Sequence, residues 1–140
     1  MCGELDDDVQ LDNDIFQRFL AIARNHGALP RSGQDSLPDL EEATGRSAYM
    51  DTLFSAGLVR AVSDAAAANE GQRVDAIAAQ AVAFARLAGF LAGQLPPEAD
   101  LFRATVEALT DGHAMPGRTA DTLDHGHDHD HGHHPHDHKH

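Results

Sequence analysis

Apolar residues recur at three- and four-residue intervals through most of this chain, and nowhere do they alternate in the manner of a half-buried strand. The pattern predicts an all-α fold, a small bundle of about four helices. The first segment runs from about Asp12 to His26, where Ile15, Phe16, Phe19, Leu20, Ile22 and Ala23 make one apolar face. Asp12, Asn13 and Asp14 offer caps at its start, and Gly27 followed by Pro30 supplies its stop. After a loop over Arg31 to Ser36, a short helical turn is expected from Leu37 to Thr44, then a break at Gly45. A longer helix follows from about Ser47, its candidate cap, to Asn69. Its stripe comprises Met50, Leu53, Phe54, Gly57, Leu58, Ala61, Val62 and Ala65.

The third helix is expected over Val74 to Leu95. It is apolar around more than half its circumference, through Ile77, Ala81, Phe84, Ala85, Leu87, Ala88, Phe90 and Leu91, so it belongs at the centre or between subunits. Gly89 and Gly93, four apart, would permit another helix to approach closely. Pro96 and Pro97 end it and open a fourth helix over Glu98 to Asp111, with Phe102, Thr105, Val106 and Leu109 facing the core and Gly112 as the stop. The pattern divides the chain into an acidic flexible N-terminus (1–11), a helical domain (12–114), a linker broken by Pro116 and Gly117 (115–123) and a tail (124–140).

Charge changes this picture first. Acidic residues give a formal net charge of −13, a field that works against nucleic acid and anionic membrane surfaces. Asp75, Gln80 and Arg86 interrupt the most apolar segment, so no membrane span is expected. The acidic start lacks a basic and then apolar leader, so a cytoplasmic location is expected by default. Alanine supplies much of the apolar content and buries little area per residue, so marginal stability or homo-oligomerisation is expected. Cys2 is the single cysteine, which leaves no partner for a disulfide or a thiolate metal site within one chain.

The tail carries the chemistry. Of the chain's 11 histidines, nine fall between His125 and His140: His125, His127, His129, His131, His133, His134, His136, His138 and His140. Such a segment cannot bury a core and is expected to be disordered without metal. With a reference pKa of about 6.5, most of its imidazoles are neutral near pH 7 and free to coordinate. Histidines two apart in an extended chain project to one side at roughly 6.6 Å, and Gly126 and Gly132 ease the bends that bring them around one ion. Asp124, Asp128, Asp130 and Asp137 add oxygen ligands or accept the second ring proton. Nitrogen and oxygen ligands without thiolate favour Ni(II) or Zn(II), with Co(II) and Cu(II) also suited, over Ca(II) or Mg(II). A purification tag is usually an uninterrupted histidine block, whereas this segment mixes in Asp, Gly, Pro and Lys.

In composition the tail is similar to the histidine-rich extensions of nickel and zinc accessory proteins, including urease nickel chaperones and hydrogenase maturation factors. The resemblance covers the tail alone; the body lacks the strand pattern or nucleotide-binding loop of those groups. Leu40 to Leu58 resembles a bacterial helix-turn-helix around Ala43, Thr44, Gly45 and Ser47, but Glu41 stands at the small-residue position, and Arg46 and Asp51 replace apolar ones. Met1, Cys2 and Gly3 resemble the start of class II glutamine amidotransferases over those three residues only. His26 and His113 read as helix-end residues favoured by the dipole, with His113 near enough to the tail to join a folded-back metal site. The expected function is that of a non-catalytic accessory protein that captures, buffers or delivers Ni(II) or Zn(II), its helical body docking a protein partner. The alternative is a metal-responsive helical transcriptional regulator or adaptor. A metalloenzyme using His113 ranks last, because a mobile tail is poorly preorganised.

Overall fold

The computed structural model describes the backbone of residues 3–124 and the side chains of residues 7–119. Four α-helices follow one another: α1 (Gly3–Asn25), α2 (Ala43–Ala67), α3 (Arg73–Ala92) and α4 (Leu101–Asp124), with short 3-10 turns at Glu70–Gln72 and Pro97–Ala99. No strand occurs among the described residues. Helices α1 to α3 belong to one unit that ends at Leu101, and α4 continues in a second that begins at Phe102.

α1 begins at Gly3 rather than near Asp12, so the acidic stretch is helical over residues 3–11. Asp7 and Asp8 lie within its first two turns, where carboxylates complement the helix dipole, and Gln10 Nε2 donates to Asp14 Oδ1 at 3.1 Å along the same face. At its other end Gly27 adopts φ 75°, the left-handed conformation that closes many helices at glycine.

The expected helical turn over Leu37 to Thr44 is absent; the chain stays irregular until α2 starts at Ala43. The corner is made by the residues that the pattern treated as a break. A Cβ on Gly45 would run into the carbonyl oxygen of Asp39, so glycine lets the incoming chain cross the first turn of α2. Arg46 Nη1 then donates to the carbonyl oxygens of Leu40 (2.9 Å) and Glu41 (2.8 Å), and the Glu41 amide donates to Asp39 Oδ1 at 2.9 Å. Ser47 is therefore inside the helix and not its cap, and Glu42 holds the N-cap position without a side-chain hydrogen bond. A helix-turn-helix needs its first helix over 37–44, which is not formed.

α2 and α3 form an antiparallel hairpin, the most extensive contact between helices. Its inner face is made of small residues. On α2 the half-buried positions include Gly57, Ala61 and Ala65, and on α3 Ala76 and Gln80; Ala85 and Ala88, on other sides of α3, are half-buried too, and Ala92 is the one buried residue among those described. Gln80 Nε2 donates to the Ala61 carbonyl at 3.4 Å, which fixes the register. The large residues expected in the core, Met50, Leu53, Phe54, Leu58 and Val62 on α2 and Ile77, Phe84, Leu87 and Leu91 on α3, are exposed instead. Methyl side chains let the two backbones come near each other, and the longer side chains are left to either side of the contact. Neither Gly57 nor Gly89 has a neighbour within 4 Å of an added Cβ, so the glycines do not mediate the approach.

α3 is central, as its all-round apolar character predicts, because α1 also packs on it. The Phe19 and Phe90 rings lie 6.4 Å apart, and Arg18 Nη2 donates to the Gln94 carbonyl at 2.7 Å. The stretch Glu70–Ala92 is the single one among the described residues that is long and apolar enough, by length and composition, to cross a membrane. It nevertheless contains Glu70, Arg73, Asp75 and Arg86.

α4 runs past both expected stops, Gly112 and Pro116, to Asp124. Proline removes the hydrogen bond to the Gly112 carbonyl and crowds it, but glycine at that position has no side chain to add to the crowding. Arg118 Nη2 reaches back to the Asp111 carbonyl at 3.3 Å, and Thr119 Oγ1 donates to Met115 O at 3.1 Å. Along α4, Thr105 is half-buried while Phe102, Val106, Leu109 and Met115 are exposed.

Candidate functional site

The residues expected to bind metal, His125 through His140 with Asp128, Asp130 and Asp137, lie outside the described residues, as does Cys2. Asp124 is the last residue of α4, so the helix hands the chain directly to the histidine-rich run. Among the described residues no group of three or more His, Cys, Asp or Glu side chains could hold a metal ion. His26 and His113 therefore do not form a site with described neighbours. His113 stands inside α4 rather than at its end, since the helix continues for eleven further residues.

His26 follows the last turn of α1, its amide donating to the Ala23 carbonyl at 3.0 Å. Its ring meets Phe90 edge-on, with centroids 5.9 Å apart and planes at 81°. The contact is an aromatic one, made edge to face. Phe90 thus receives Phe19 and His26 together and pins the end of α1 to α3.

Beside that contact runs a groove of about 1040 Å³ between α1 and α3, lined mainly by Ala79, Val82, Ala83, Leu87 and Phe90. Its polar contributors are His26 and Arg86. Sequence reasoning did not mark this groove. The available signal was the run of small residues at Ala78, Ala79 and Ala83 on the side of α3 that carries Phe90, which leaves space between larger neighbours.

No protein-family model, no curated protein and no solved structure matches this chain.

Proposed function

We propose that the chain is a metal-binding accessory protein whose tail captures, buffers or delivers Ni(II) or Zn(II), the ion being cargo and the helical body the part that meets a protein partner. The observation that carries this reading is nine histidines among residues 125–140. Imidazole binds these ions through its neutral form, and closely spaced imidazoles raise the local ligand concentration without a preformed cage. The interspersed aspartates lower the cationic charge that accumulates when several ions bind. Nothing in this reading calls for catalysis by the chain.

The test is calorimetric titration of the full chain with Ni(II) and with Zn(II) between pH 7 and pH 5, in buffers of different ionisation enthalpy. Protons compete for the same nitrogens around a reference pKa of about 6.5, so affinity should fall steeply over this interval with proton release on binding. Carboxylates, with reference values near 4, would stay ionised and give a much flatter response. Binding that does not change between pH 7 and pH 5 would refute the histidine-led mechanism.

A further inference from the structure

The ring contacts and the hydrogen bond that hold α1 all fall on one turn of α3. Phe19 and His26 both bring their rings to Phe90, with centroids 6.4 and 5.9 Å away, and Arg18 Nη2 donates to the Gln94 carbonyl at 2.7 Å. The half-buried residues of α1, Ile15, Phe19, Leu20, Ile22 and Ala23, lie in its second half, while residues 7–14 are exposed throughout.

The connection to α2 adds nothing to this hold. Every residue from His26 to Glu42 is exposed, and among the described residues no hydrogen bond ties residues 29–38 to any helix. Extended, that stretch spans about 30 Å, so α1 can move away without pulling on α2. The hairpin is built differently. α2 and α3 meet along the alanine seam in the most extensive contact between helices, and only residues 68–72 connect them. A segment with few contacts and an exposed connection opens before the whole structure does.

We propose that α1 is a latch, one that lets go of α3 as a unit while the α2–α3 hairpin stays formed and so opens the groove beside Phe90. Phe19, Ala23 and His26 form the α1 side of that groove. When they leave, an open face of α3 from Ala78 to Leu91 remains. A compound that needs both walls binds only the latched form, so occupancy of the groove and closure of α1 favour each other. Helices in proteins owe most of their stability to tertiary packing, so α1 loses backbone protection once it is released.

That loss is measurable by native-state hydrogen exchange and mass spectrometry on the full chain, in EDTA and in steps of urea below the unfolding transition. Amides of residues 15–25 should exchange faster than those of α2 and α3 by about tenfold or more. Their urea dependence should be weaker, because release of α1 exposes only part of the surface that global unfolding exposes. Phe90→Ala should speed exchange in α1 by about a further tenfold and leave α2 within about twofold of the parent. Phe84→Ala is the matched control: this ring is 44% exposed on the same helix but about 120° away, and its loss should leave α1 unchanged. Equal rates and equal urea slopes for α1 and the hairpin in the parent chain would overturn the proposal, a result that needs no variant to fold. Release of α1 by Phe84→Ala as fully as by Phe90→Ala would overturn it too.

Discussion

The same substitution in α2 should have opposite signs at two glycines. Gly45→Ala places a methyl group against the Asp39 carbonyl oxygen and within 2.9 Å of the carbonyl carbon, both backbone atoms that cannot rotate aside. The segment from Asp39 must lift, breaking the two Arg46 bonds to Leu40 and Glu41 and straining the Asp39–Glu41 turn. Each of these three exposed hydrogen bonds contributes about 0.5 to 1.5 kcal/mol net, so roughly 1.5 to 4.5 kcal/mol is at risk, against a gain of about 1 kcal/mol from alanine's helix propensity. The expected outcome is a net loss of about 0.5 to 3.5 kcal/mol. At Gly57 an added Cβ meets nothing within 4 Å, and only the gain remains, about 0.5 to 1 kcal/mol. Urea denaturation monitored by circular dichroism at fixed protein concentration would measure both. If Gly45→Ala were as stable as the parent chain, or Gly57→Ala less stable, the account of the α2 corner would be wrong.

Pro116→Ala restores a backbone donor to the Gly112 carbonyl and should stabilise the second half of α4 by up to about 3 kcal/mol, seen as greater helicity in circular dichroism; no change would mean that the helix is not limited there. Phe90→Ala removes the ring that holds Phe19 and His26 and should cost about 1 to 2 kcal/mol, less than the roughly 3 to 5 of a fully buried phenylalanine, because Phe90 is half-buried. Hydrogen exchange should then accelerate in α1 more than in α2, and uniform acceleration would argue against a separate α1 contact. Removing residues 125–140 should abolish most Ni(II) or Zn(II) capacity in equilibrium dialysis while leaving helicity over residues 3–124 unchanged; retained stoichiometric binding would place the ligands elsewhere.

Helix identity was legible in the sequence because it is written locally. The three- and four-residue spacing from Ile15 to Ala23, along α2 and through α3 marks helices without knowledge of what they touch. The histidine run is equally local, since its chemistry depends on composition and not on a fold. Boundaries were less legible: Gly45 and Pro116 look like stops in one dimension, yet each lies inside a helix, Gly45 beneath the crossing backbone of Asp39 and Pro116 four residues after Gly112. Which apolar residues are buried could be decided only by the tertiary structure. A stripe such as Met50 to Ala65 contains both large and small members, and periodicity gives them the same direction. The choice of Ala61 and Ala65 for the seam follows from how closely α3 approaches, through Ala76 and Gln80, and that distance belongs to the pair of helices rather than to either sequence. Leu58 and Phe84 are left exposed for the same reason: methyl groups let the backbones draw near, and the longer side chains must then lie outside the contact.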